Sequence, residues 1–202
     1  MSLGIKSRYN QFNKNVNPLL VLEEGSRVLT GLNKINAELS DFTNQVYIQT
    51  IFMKDFALSA GAEYKRLKIT SETIIEDNQS DEIIFENTGY FGLFGNLKFD
   101  SFSDPYFPKS GFYFNGNFHW YLGASNFNPD FEEFPIAKAD IGYAFSFNDR
   151  LALKTEGNGG FKVGDNSTTA LGFGLGGYGN NFINNFYSFY GYDYFQLSGD
   201  SF

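Results

Sequence analysis

The chain has 202 residues, a net charge of -8, no cysteine and one histidine, which excludes disulfide scaffolds, Cys-type zinc sites, thiol nucleophiles and His-pair metal sites. Its acidity (pI about 4.6) argues against a nucleic-acid partner, which needs a basic face, and its 25 Phe and 13 Tyr are too many for a disordered chain. Mean hydropathy is -0.29, and no stretch nears the roughly 18 apolar residues of a spanning helix.

No basic stretch followed by an apolar run comes after Met1, so no secretory signal is visible. Leu19 to Leu32 lacks a sustained 3.6-residue stripe and is cut by Gly25 and Gly31, so a strand pair or loop is expected there. Asp41 to Asn44 reads as a tight turn. Phe56, Leu58, Ala60, Ala62 and Tyr64 then alternate with Ala57, Ser59, Gly61, Glu63 and Lys65. Thr70 to Thr88 reads as a long acidic loop. Its run from Glu76 to Glu82 lacks the central Gly of a calcium loop and reads as a solvated surface.

Phe91, Leu93, Gly95, Leu97 and Phe99 resume the alternation. The clearest strand is Phe112 to Leu122. Phe112, Phe114, Gly116, Phe118, Trp120 and Leu122 share one face, against Tyr113, Asn115, Asn117, His119 and Tyr121 on the other. Asn115, Asn117 and His119 are expected to face a polar lumen. Trp120 and Tyr121, near the end of the strand, are expected to join an interfacial aromatic girdle. Gly123 to Phe134 is a long Asn/Pro-rich connection. Ile141, Tyr143, Phe145 and Phe147 alternate again, and Phe147 to Arg150 makes a tight turn. Leu171, Phe173 and Leu175 stand opposite Gly172, Gly174 and Gly176, and Gly177 to Phe202 is the longest connection.

This pattern predicts an all-β chain, an antiparallel up-and-down meander of strands about 10 residues long. Short turns at one end and long polar loops at the other are the layout of a transmembrane β-barrel, in which closure satisfies every backbone group. A soluble sandwich also alternates, but its apolar face would be Val, Ile and Leu packed on a second sheet. Here that face is mostly Phe and Tyr with Gly and Ala between, while the other carries Lys, Asn, Glu and His as a wet lumen would. Catalytic patterns are missing. No Gly-x-Ser-x-Gly and no Asp-Gly occurs, and Ser198-Gly199-Asp200-Ser201 has no helix to sit on. Gly172-Phe173-Gly174-Leu175-Gly176-Gly177 likewise lacks the helix that a dinucleotide loop opens. No catalytic, cofactor-binding or metal-binding residue is expected.

Two motifs carry a family resemblance. Asp100-Ser101-Phe102-Ser103-Asp104-Pro105-Tyr106-Phe107-Pro108-Lys109-Ser110-Gly111 resembles the Asp-rich, Phe-Pro-x-x-Gly turn of the surface-antigen superfamily of outer-membrane barrels, the group that contains outer-membrane assembly factors. There it joins two strands on the periplasmic side, which implies a periplasmic turn built by Asp100, Asp104, Pro105, Phe107, Pro108 and Gly111. Leu175-Gly176-Gly177 with the later Tyr190-Gly191-Tyr192 resembles that superfamily's strand end and lumen loop, whose aromatic-Gly-aromatic tip folds inward. The Arg usual before this Gly is Tyr190 here, which puts in doubt the lumenal lock that Arg makes.

The wording from Phe186 to Asp193 most resembles the barrel attached to patatin-like phospholipases of Gram-negative bacteria. The match is strongest over residues 90–202, and residues 1–202 are expected to be one partial barrel domain. The resemblance implies a bacterial outer-membrane location, with membrane lipid, the barrel-assembly machinery and a fused passenger domain as partners. It implies no cofactor, and any phospholipase activity would belong to the passenger. Two-residue steps back from Phe202 give Asp200, Ser198 and Gln196, unlike an apolar recognition strand, so Phe202 is expected to be a truncation point. Two other readings share the alternation: a complete small outer-membrane barrel acting as a pore or adhesin, and a soluble lipid- or ligand-binding barrel.

Overall fold

The computed structural model describes residues 1–16, 35–52, 54–74, 80–125, 131–148, 150–164, 171–177, 185–189, 191–192 and 197–202. Seven strands follow one another as a single antiparallel meander. They are β1 (Ser2–Val16), β2 (Ile35–Phe52), β3 (Phe56–Ile74), β4 (Ser80–Asp100), β5 (Gly111–Ala124), β6 (Phe134–Asn148) and β7 (Leu151–Lys162). Each pairs with its neighbours in sequence, and β1 and β7 do not pair with each other, so the sheet is open among the described residues. The expected all-β meander is present.

The strands run 12 to 21 residues, longer than expected. A tilted strand needs only about 9–11 residues to cross a hydrocarbon layer. The surplus explains why two expected connections are strand instead. Asp41 to Asn44 is no turn. It lies in the middle of β2, where Asp41 stands between Asn10 and Leu67. Phe42, Val46 and Ile48 hold that stretch in the sheet, and the Asp41 carboxylate finds cationic partners on both neighbouring strands. Thr70 to Thr88 is mostly strand as well. β3 runs on to Ile74 and β4 begins at Ser80, because Thr and Ile favour extended backbone despite the acidic residues among them. A register shift between Ile69 and Thr70 marks a bulge there. The stretch from Leu19 to Leu32 lies outside the described residues.

Short connections gather at one end of the sheet. β2 and β3 close around Lys54, whose φ of 64° is in the left-handed region. β6 and β7 close at Asn148, whose Oδ1 accepts the amides of Arg150 and Leu151, each at 2.9 Å. The Asp100–Gly111 turn joins β4 to β5 at the same end.

The two faces differ in character. Ile5, Val46, Leu93 and Trp120 make one cross-strand row on the outer face, and all four are exposed. The inner face buries Asp41, Glu63 and Lys65 to 2% exposure or less. Toward the long-loop end it also carries an apolar cluster of Leu67, Tyr90, Tyr121, Phe134, Ile136, Leu171 and Phe173. Composition had suggested a uniformly wet interior, and this cluster breaks that uniformity.

The described residues after β7 pack against the inner cluster. β8 (Phe173–Leu175) lies between a parallel β9 (Phe186–Tyr187) and an antiparallel β10 (Leu197–Gly199). Asp200 and Phe202 then bond the open edge of β7. The Lys162 amide donates to the Asp200 carbonyl at 2.7 Å, and the Phe202 amide donates to the Gly160 carbonyl at 3.1 Å. The Phe202 ring packs on Phe173 and Tyr187, with centroids 5.0 and 4.5 Å away.

Candidate functional site

Cross-strand pairing sorts the inner face into rows, since residues directly opposite share a face. One row reads Lys6, Gln45, Glu63, Gly92 and Tyr121. Gly92 offers no side chain between Glu63 and Tyr121, so the Tyr121 hydroxyl reaches across β4 and donates to Glu63 Oε1 at 3.1 Å. His119 Nδ1 lies 3.1 Å from the same oxygen, and Gln45 donates to Glu63 Oε2. A buried carboxylate is costly unless its lone pairs are filled, and these neighbours fill them.

A second charged group sits one layer away, toward the long loops. Asp41 accepts Arg8 Nη2 at 3.2 Å and Thr43 Oγ1 at 3.0 Å, and Lys65 Nζ lies 3.4 Å from it. Together the two groups tie β1, β2, β3 and β5 through side chains as well as backbone.

Next toward the short turns comes a row of aromatic and small residues: Gly4, Tyr47, Gly61, Phe94 and His119. A Cβ on Gly4 would come within 2.5 Å of the Tyr47 ring, so that ring lies over the glycine. Gly61 leaves room for Tyr47 and Phe94 to meet edge to face at 6.2 Å. Phe94 and His119 stack at 6.0 Å with 21° between their planes. The following row is Gln49, Ser59, Asn96, Asn117 and Lys138. Asn96 Nδ2 donates to Asn117 Oδ1 at 2.7 Å and to Asn115 Oδ1 at 3.2 Å. These rows line a cavity of about 400 Å³. Lys138 on its rim donates to Asn185 Oδ1 at 3.2 Å, which fixes the segment before β9 to the sheet.

The structure places Asn115, Asn117 and His119 on this inner wall and Trp120 on the outer face. Tyr121 corrects the expectation made for it. It is not a girdle residue, because strict alternation turns it inward, where it is 3% exposed and bonded to Glu63. The sequence reading did not single out Glu63, Lys65, Phe94 or Asn96 as site residues, nor Arg8, Asp41, Gln45 and Tyr47. Alternation in β1 and β2 is partial, clearest from Leu3 to Arg8 and from Gln45 to Gln49, and that was the signal for Arg8, Gln45 and Tyr47.

The Asp100–Gly111 turn is tightly built. Asp100 pairs with Lys98 at 3.5 Å and accepts the Phe102 amide at 3.3 Å. Asp104 Oδ1 accepts the amides of Tyr106 and Phe107, each at 2.8 Å. Those amides, Phe107 foremost, hold the Asp104 carboxyl below its ordinary range. Pro108 is buried, whereas Tyr106 and Phe107 are 84% and 85% exposed. Gly111 has φ 118°, and a Cβ there would lie 2.2 Å from the Ser101 carbonyl oxygen, so only glycine closes this turn. Phe102 and Pro105 help to line a second cavity, of about 650 Å³, at the short-turn end.

Gly176 and Gly177 end β8, and their amides donate to the carbonyls of Tyr187 at 3.2 Å and Phe189 at 3.1 Å. Gly191 and Tyr192 follow, with the Tyr192 ring 5.3 Å from Phe189. Tyr190 lies outside the described residues. Among the described residues no group of three or more His, Asp or Glu is placed to hold a metal ion. Gly172 to Gly177 leads into extended β8, and the Glu76 to Glu82 run lies largely outside the described residues.

The family comparison agrees with this architecture. The model of the OMP85 superfamily matches residues 1–202, the whole chain. No curated protein and no solved structure matches it. An antiparallel meander with an apolar outer face, a charged inner face and a family match from end to end means that the chain belongs to the OMP85 superfamily of outer-membrane β-barrels.

Proposed function

We propose that this chain forms part of the wall of a barrel in a bacterial outer membrane, and that the barrel anchors or translocates a passenger polypeptide without catalysis of its own. The carrying observation is the sorting of the two faces. Ile5, Val46, Leu58, Leu93, Phe118 and Ile141, one from each of β1 to β6, are 40% exposed or more, while Asp41, Glu63 and Lys65 are buried opposite them. In water that arrangement is inverted, and in lipid it is the expected one.

The Asp100–Gly111 turn then faces the periplasm and the longer connections face outward. Trp120 lies at the lipid boundary. The segment holding Gly176, Gly177, Gly191 and Tyr192 lies against the lumen side of the wall. Membrane lipid and the barrel-assembly machinery are the partners of such a wall. Resemblance to the barrels of patatin-like proteins supports a phospholipase-type passenger.

Fractionation of cells expressing the complete gene tests the reading. The product is expected in the outer-membrane fraction, resistant to urea extraction, with heat-modifiable migration on a gel. Recovery as a folded soluble protein without detergent would refute it and would favour a soluble ligand-binding barrel.

A further inference from the structure

We propose that the inner wall between β1 and β6 is a binding site for an acidic oligosaccharide, with the Tyr47 ring as its stacking surface and Phe94, steeply inclined to it, as a flanking apolar wall. The proposal rests on the inner face being a water-filled lumen.

Three rows of the wall combine. The Tyr47 row is aromatic in an otherwise polar cavity, and the Tyr47 ring lies over Gly4 and lines that cavity. A pyranose ring presents a face of C–H groups that packs on such a ring, while its hydroxyls project sideways. On one side those hydroxyls meet Gln49, Asn96 and Asn117. Each amide both donates and accepts, as each hydroxyl does. On the other side they meet Gln45.

Charge sets the class of sugar. The chain carries -8 overall, yet with Arg8 held by Asp41 the cavity still presents Lys6 and Lys138 against the single carboxylate of Glu63. That local reversal favours an anion. The volume of about 400 Å³ falls in the usual range for a ligand pocket, about 300–1,000 Å³. An acidic polypeptide would use the cations but has no need of the amide row, and its apolar side chains would want more than two aromatic rings. The combination of stacking ring, amides and cations fits a carboxylated or phosphorylated saccharide better.

The test uses the full-length protein folded in detergent micelles and titrated calorimetrically with trigalacturonate, maltotriose and hexaglutamate. Trigalacturonate is expected to bind, maltotriose at least about tenfold more weakly, and hexaglutamate not at all. Tyr47→Leu and Phe94→Leu should each weaken trigalacturonate about tenfold through loss of the ring face. Lys6→Gln, at an exposed position, should weaken it by a similar factor and flatten its salt dependence. Phe118→Leu on the outer face should change nothing. Hexaglutamate binding as tightly as trigalacturonate overturns the proposal. So does binding indifferent to both ring substitutions, and so does silence from a protein whose gel migration shows it folded. Heat-modifiable migration scores the barrel and the titration scores the site, so the two can fail separately.

Discussion

At the scale of single residues, Glu63 and Asp104 show how one carboxylate organises its surroundings. Glu63 is 2% exposed and receives Gln45, His119 and Tyr121. Glu63→Ala should cost about 3 kcal/mol in urea unfolding from micelles, because buried donors lose their acceptor, while Glu63→Gln should cost about 1 kcal/mol. Asp104 works in the open, accepting two amides of its own turn. Its folded pKa is lowered, so the ordering it gives is complete above the ordinary value of 3.8 and is lost as pH falls through the lowered one. Protection of the Tyr106 and Phe107 amides, taken against the intrinsic exchange rate at each pH, should therefore hold at pH 7 and pH 5 and vanish once pH drops well below 3.8. Asp104→Ala should remove that protection at every pH. The contrast between Trp120 and Tyr121 was only half legible in the sequence. Alternation assigns their faces correctly, but their position near a strand end suggested a shared lipid boundary. Nothing local to β5 announces that Glu63, two strands away, waits for the Tyr121 hydroxyl.

At the scale of elements, glycines decide which side chains can meet. A Cβ at Gly92 would stand 2.4 Å from the Trp120 carbonyl oxygen, at a register shift between β4 and β5. Gly92→Val should open that pairing and separate Tyr121 from Glu63, and it should lower folding yield into lipid vesicles more than Gly95→Val, where no atom lies within 4 Å of the added Cβ. Strand existence was readable because period 2 holds in every segment from β3 to β6. Strand length was not, since acidic residues between Thr70 and Thr88 look like loop when counted by composition. Their hairpin is held by backbone pairs such as Glu72 with Glu82, and pairing partners do not show in a single chain's composition. The C-terminal segment was legible as a long connection, but its short sheet and its grip on β7 depend on contacts that no periodicity encodes.

At the scale of the whole molecule, the sorting of faces predicts opposite tolerances. A charge on the outer face should cost about 2–4 kcal/mol at the bilayer midplane, and the same charge on the inner face close to nothing. Val46→Arg, read by vesicle folding equilibria, should fall in the first class and Ser59→Arg, among cavity residues, in the second. Equal tolerance at both positions would contradict a lipid-facing outer surface. The pairing of Asp41 with Arg8 and Lys65 has a further consequence, for the order of events during insertion. A strand displaced by one residue turns every side chain to the opposite face. Shifted in that way, β2 would present Asp41 to hydrocarbon and strand the cations of its neighbours in the interior. A misaligned hairpin would thus carry an uncompensated charge into the membrane, whereas a correctly aligned one carries none. The buried ion cluster is thereby expected to penalise wrong alignments of β2.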